Sequence, residues 1–269
     1  MIPVMTDASH GQRPSWVNSP LLRPVRSTGE FFALVLDIFV TMLRPPFAWR
    51  EFLDQTWFVA RVSLTPGLVL ALPFVVLAVF TVNVLLVEFG AADFSGAGAS
   101  LAAVNQLGPL VTVLVVAGAG ATAMCADLGA RTIREELDAM RVMGIDPVQA
   151  LVVPRVLAAT VVALLLSSLV TLTGLTGGFF FAVFIQHVTP GAFVAGMTVI
   201  TGLSDVLVSM VKATLFGLTA GLIACYKGIR VGAGPAAVGN AVNETVVFSF
   251  VFLLLINAVL TAIGFAVAA

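Results

Sequence analysis

VSLTPGLVLALPFVVLAVFTVNVLLV, residues 62–87, runs for 26 positions between Arg61 and Glu88 without one charged side chain. About 20 helical residues cross the ~30 Å hydrocarbon core of a bilayer, so this window is long enough to span it. Residues 94–126, 156–204 and 245–269 are equally free of Asp, Glu, Lys and Arg. The whole chain of 269 residues is 59% hydrophobic and 10% charged, against about 25% charged in a soluble globule. The expectation is therefore an all-α integral membrane protein. A formal net charge of −1 and the lack of any basic run argue against nucleic acid as a partner.

From this window the other boundaries follow. Pro66 and Pro73 lie within the first predicted span, 63–87, where neighbouring helices can satisfy the freed carbonyls. FGAADFSGAGAS (89–100) reads as a small-residue loop, and a second span is predicted over 101–126, with AGAGATAMCA offering close helix approach. Gln186, His187, Pro190 and Gly191 break the long third window. They give a third span at 152–185, a loop-rich approach, and a fourth span at 204–226. The fifth begins near Val246. Gly174-Leu-Thr-Gly-Gly178 and Gly217-Leu-Thr-Ala-Gly221 are small-residue patterns that read as packing within the chain.

Ahead of the spans, residues 1–27 read as a polar, mobile tail and residues 28–62 as interfacial helices. Phe31, Phe32, Leu34, Val35, Ile38, Phe39 and Met42 recur at helical spacing until Pro45 and Pro46, with Trp49 and Trp57 beyond. The alternative is an amphipathic helix packed on protein. The N-terminus lacks the basic start and short apolar core of a cleavable signal peptide.

Twelve of the thirteen basic residues fall on one side of the predicted spans. Arg13, Arg23, Arg26, Arg44, Arg50 and Arg61 precede span one, Arg131, Arg134, Arg141 and Arg155 sit between spans two and three, and Lys227 and Arg230 between four and five. The positive-inside rule then places the N-terminus in the cytoplasm and the C-terminus outside, in a plasma membrane.

The one densely charged segment, Arg131 to Gly144, reads as a short amphipathic helix. Arg131 is predicted to face Glu135, and Arg134 to face Asp138, at i,i+4, with Ile133, Leu137 and Met140 as an apolar stripe. Gly144, Ile145 and Pro147 supply a C-terminal stop. A solvated loop helix and a docking element for a cytoplasmic partner both fit. Cys125 and Cys225 have no metal-binding neighbourhood and read as packing residues. Asp205 and Lys212 are ionisable groups inside apolar sequence; seven residues apart, they share a face but are about 10 Å from each other, too far to pair. Asp205 is placed near the outer end of its span, with Lys212 deeper, snorkelling or bonded to carbonyls of a neighbouring helix. No catalytic residue, metal site or G-x-x-x-x-G-K-[ST] phosphate loop is visible.

EELDAMRVMGIDPVQALVVPRVLA (135–158) closely resembles the signature of the MlaE/YrbE permeases of lipid-handling ABC transporters. The likeness extends through PFAWREFLDQTWF (46–58), FGAADFSGAGAS, GPLVTVLVVAGAGATAMCADLGARTIREE (108–136), VKATLFGLTAGLIACYKG (211–228) and AVNETVV (241–247), runs similar to the actinobacterial branch that works with Mce proteins, A-type YrbE subunits among them. The resemblance implies a five-span permease domain over 63–269, transport of a fatty acid, sterol or phospholipid, a second YrbE-type permease subunit, a cytoplasmic ATPase dimer that binds ATP and Mg, and Mce proteins on the outer side. This chain itself would bind no cofactor. By similarity Arg131, Arg134, Glu135, Glu136, Asp138 and Arg141 form the ATPase-coupling helix. Phe80 and Asn83 in span one, with Asn105 and Gln106 in span two, are candidate contacts along the substrate path, placed close together near the outer face; the equal alternative is that the amides bond carbonyls of neighbouring helices and only hold the bundle together. A proton-coupled secondary transporter and a non-transporting scaffold are the competing readings.

Overall fold

The structure is a computed structural model that describes residues 23–45 and 47–268. Those residues form helices without a strand. Five are long and apolar enough to cross a membrane: Trp49–Glu88, Ala92–Ile133, Val148–Phe184, Leu203–Ile229 and Pro235–Gly264, the last continuing to Ala268. They are spans one to five in chain order. The connections at 134–147 and 230–234 define a charged end of the bundle, and those at 89–91 and 185–202 the far end. The chain is a multi-pass membrane protein.

Each span starts earlier or ends later than its uncharged window. Charge alters the solvent a helix prefers but does not break its hydrogen bonds, so the helix continues through Arg50, Glu51, Asp54 and Arg61 into span one. No separate second interfacial helix exists among the described residues, which corrects the reading of 46–62. Forty residues make about 60 Å of helix, twice the hydrocarbon thickness, so span one projects well beyond a bilayer at one end or both.

Two predicted loops are also helical. Ser95–Ser100 continues span two, and Pro190–Ile200 forms a short far-end helix capped by the Thr189 hydroxyl, which accepts from the Ala192 N–H at 3.4 Å. Their small residues serve contact rather than flexibility: a Cβ on Gly96 would overlap the Phe193 carbonyl, and Gly196 lies against Ala97. The glycine patterns act within the chain as expected. Gly174, Gly177 and Gly178 of span three receive Val75, Val76 and Val79 of span one, while Gly217 and Gly221 of span four lie on Ala159, Thr160 and Val156 of span three.

Wider π-helical turns interrupt the spans at Leu72–Val76, Leu101–Leu107, Val116–Ala121 and Val148–Val152. Three adjoin Pro73, Pro109, or Pro147 and Pro154, whose rings lack an N–H and crowd the carbonyl four residues back. The fourth lies at Gly118 and Gly120.

Span two is the innermost, with 61% of its most apolar window buried, whereas span five has 11% buried and lies at the edge. The helix Arg23–Met42 crosses the charged end and takes in residues 23–27 of the expected tail, whose other residues, 1–22, lie outside those described. Ile38 is buried in a cluster with Leu137, Leu151 and Val152, and Phe31 meets Tyr226 edge-on at 5.3 Å. Phe32, Leu36 and Phe39 remain exposed along another edge.

Candidate functional site

The charged end is built from two helix stops. Span two ends at Ile133, and Glu135 adopts a left-handed conformation (φ 59°) that turns the chain before a new helix, Glu136–Val142. Arg131 therefore belongs to the end of span two, and the segment 131–144 is not one helix. The predicted pairs fail for the same reason. Arg131 approaches Asp127 at 3.4 Å, Arg134 binds Glu136 at 2.8 Å, and Arg141 binds Asp138 at 2.7 Å.

The second stop is as predicted. Gly144 is left-handed (φ 76°), its N–H donates to the Arg141 carbonyl at 3.0 Å, and the Ile145 N–H reaches back to Met140 at 2.9 Å. Leu137 is buried and Met140 half-buried in the cluster around Ile38, and the Thr132 hydroxyl donates to the Gly228 carbonyl of span four at 3.0 Å. The short helix is thus held from both ends and from beneath. Outward it presents Glu136, Asp138 and Arg141, then an apolar tip in which Val142 is 89% and Met143 66% exposed. A rigid charged knob with an apolar tip can bind a complementary cleft and transmit its movement to spans two and three.

Sequence reasoning missed the ion network beneath it. Arg155, at the start of span three, is fully buried; its guanidinium donates to Asp127 of span two at 2.5 Å and to the Leu151 carbonyl at 3.3 Å, with Glu51 of span one 3.8 Å away. Glu51 in turn accepts from the Gln55 amide at 2.9 Å. Three spans are joined by one arginine. The available signal was its place in LVVPRVLA, a lone cation inside an apolar run with no acid within one helical turn.

The intramembrane pair separates as expected. Asp205 accepts from the Gly202 N–H at 2.9 Å and caps its own helix. Lys212 is 3% exposed and donates to the Thr261 hydroxyl of span five at 2.8 Å; its partner is a side chain rather than a carbonyl. Cys125 and Cys225 are buried thiols.

The four candidate path residues are spread out. Phe80 packs on Phe181 with ring centroids 5.0 Å apart. Asn83 is fully buried and neither amide atom has a hydrogen-bond partner among the described residues. Gly98 of span two faces Val82 and Leu86, so Asn105, seven residues further along, lies about 10 Å deeper than Asn83. Asn105 is half-buried and Gln106 exposed, both within a π-helical turn.

The fold is five spans with a charged connection packed between the second and third. Residues 52–263 match the family of the permease MlaE, and the chain belongs to that family. It is 30% identical over 228 residues to a probable ABC transporter permease of Synechocystis, covering 84% of this chain and 86% of that protein. It is 28% identical over 254 residues to a probable ABC transporter permease of Rickettsia bellii, covering 91% and 95%. The permease protein MlaE of the intermembrane phospholipid transport system of Haemophilus influenzae is 30% identical over 183 residues, covering 68% and 70%.

Proposed function

We propose that this chain is the membrane-spanning permease subunit of an ABC system that moves a lipid, with ATP and Mg bound by a separate ATPase dimer. The observation that carries the reading is the helix Glu136–Val142: seven residues held rigidly at the charged end, exposing both charges and an apolar tip. The positive-inside rule puts this end, with the N-terminus, in the cytoplasm of the plasma membrane, where an ATPase would meet it. A second permease subunit of the same kind would cover part of the exposed span surface, and an Mce-type protein would receive or deliver the lipid at the far end. Phe80, Asn83, Asn105 and Gln106 remain proposed contacts for the cargo.

Movement of the knob would tilt spans two and three relative to one another, and the Arg155 network would carry that tilt to span one. Alternation between two such packings is the transport step. The proton-coupled alternative finds less support, because Lys212 and Asp205 are each engaged with different partners.

Glu136→Lys reverses a charge on the knob and breaks its bridge to Arg134. The expected result is about tenfold weaker recovery of the ATPase with the affinity-purified permease and a comparable loss of ATP-dependent lipid movement, as for reversal of a charge pair across an interface. Wild-type assembly and transport in the variant would refute the docking role.

A further inference from the structure

Spans three and four run antiparallel, with Gly217 against Thr160 and Gly221 against Val156. Counting back along both helices sets Leu203, the first residue of span four, level with about residue 174 of span three. Span three therefore extends about ten residues, or about 15 Å, past the start of span four. The short helix Pro190–Ile200 fills only one side of that gap: Phe193 meets Phe179 with ring centroids 5.5 Å apart, and the chain then breaks into extended conformation at Thr201 and Gly202. A cavity of about 390 Å³ is left between spans two, three and four and this helix.

Its lining is unusual in one respect. Seven hydroxyl side chains face it, and four of them bond to their own helix: Ser100 to Ala97, Ser168 to Leu164, Thr198 to Ala195 and Ser209 to Val206. The other three, Ser167, Thr171 and Thr201, have no hydrogen-bond partner among the described residues. Ser167 is 6% exposed, and the Thr201 oxygen is sealed within the wall, which leaves Ser167 and Thr171 as the unpaired hydroxyls open to the cavity. Unpaired hydroxyls inside a membrane protein have neither bulk water nor a neighbouring carbonyl to bond. The remaining lining is Val, Leu, Ala and Met, with no charged side chain and no histidine. A second, wholly apolar chamber of about 250 Å³ shares Leu172, Leu175 and Met197 with the first and is walled by Phe179, Phe180 and Phe193.

We propose that these adjoining chambers bind one uncharged lipid within a single permease subunit. Ser167 and Thr171, one turn apart on span three, hold its hydroxyl or ester carbonyl, and Leu172, Leu175 and the three phenylalanines hold its hydrocarbon. A hydroxyl side chain can donate to a carbonyl and accept from a hydroxyl, so it suits either group. A phosphate or carboxylate would enter a site with no cation to balance it. The first cavity, about 390 Å³, is of the size that small-molecule sites use, mostly apolar with a few polar groups, and the second, about 250 Å³, adds apolar room beside it. This deepens the lipid-transport reading by assigning a site to neutral lipids.

The test uses the assembled complex in nanodiscs without ATP. It compares a diacylglycerol bearing a photoactivatable acyl chain with the phosphatidic acid of identical chains. Crosslinks from the diacylglycerol should concentrate on residues 164–180 and 193–210, with phosphatidic acid giving about a tenth of the yield there. The double variant Ser167→Ala/Thr171→Val, checked for unchanged thermal unfolding, should lower diacylglycerol crosslinking about tenfold, as removal of two hydrogen-bond partners implies. Equal yields from the two lipids, or diacylglycerol labelling no stronger than at the exposed Leu255 of span five, would overturn the proposal; the wild-type comparison decides this even if the double variant unfolds. Because binding is read without ATP, failure here is distinct from failure of the ATPase to associate, which tests the transport reading itself.

Discussion

Arg155 shows how far one residue's role depends on residues distant in sequence. Its charge is buried because Asp127, 28 residues earlier on another helix, supplies the opposite charge at 2.5 Å. Removing one member of a buried pair leaves the other uncompensated, at a cost of about 3–5 kcal/mol. Asp127 is 32% exposed, so water screens part of the loss and the lower end of that range applies, about 3 kcal/mol for Arg155→Met or Asp127→Leu alone. The double variant Asp127→Leu/Arg155→Met should recover most of it, because no unpaired charge remains on either of the two. Unfolding by increasing sodium dodecyl sulfate, followed by tryptophan fluorescence, would measure all three. Additive losses in the double variant would show that the pair is not coupled. Lys212 carries a milder version of the same lesson: six of the eight residues within four positions of it are apolar and make it look stranded, yet Thr261 is within hydrogen-bond distance on span five.

At the scale of elements, the connection between spans two and three depends on two left-handed residues that a substitution can distinguish. Gly144 takes φ 76° without steric cost, whereas Glu135 takes φ 59° with a Cβ that disfavours it. Gly144→Ala should therefore cost about 1 kcal/mol locally, and Glu135→Gly should stabilise the turn by a similar amount. Amide hydrogen exchange of residues 136–145 should become about fivefold faster in the first variant and slower in the second, the factor that 1 kcal/mol gives at 25 °C. A change of the same sign in both would contradict the conformational account. The Gly144 stop was legible in advance because Gly, an apolar residue and a proline stand in order. The Glu135 break was not, since glutamate is a good helix former and nothing local demands a turn there. That single conformation moved Arg131 to another helix and replaced both predicted pairs.

For the whole molecule, the alternation of charged and uncharged sequence makes a claim about sidedness. Cysteines introduced at Asp93 and Gly191, at the far end, should react with a membrane-impermeant maleimide in intact cells, while one at Met143 should react only after the membrane is opened. Cys125 and Cys225 are buried and should contribute little background. Labelling of Met143→Cys from outside would reverse the assigned orientation. The number of spans, their order and the position of the charged connection were determined by sequence alone, because the bilayer demands about 20 apolar residues per crossing and charges must stand outside. Only the tertiary structure decided how far each helix runs, since a helix needs backbone bonds rather than a membrane to continue. It alone decided that Ser95–Ser100 and Pro190–Ile200 are helical, because their small residues gain stability from contact with one another. It also decided that Arg155 and Lys212 have partners and that Ser167 and Thr171 of span three face a cavity closed by spans two and four, because each such meeting involves different helices, whose register is set by packing.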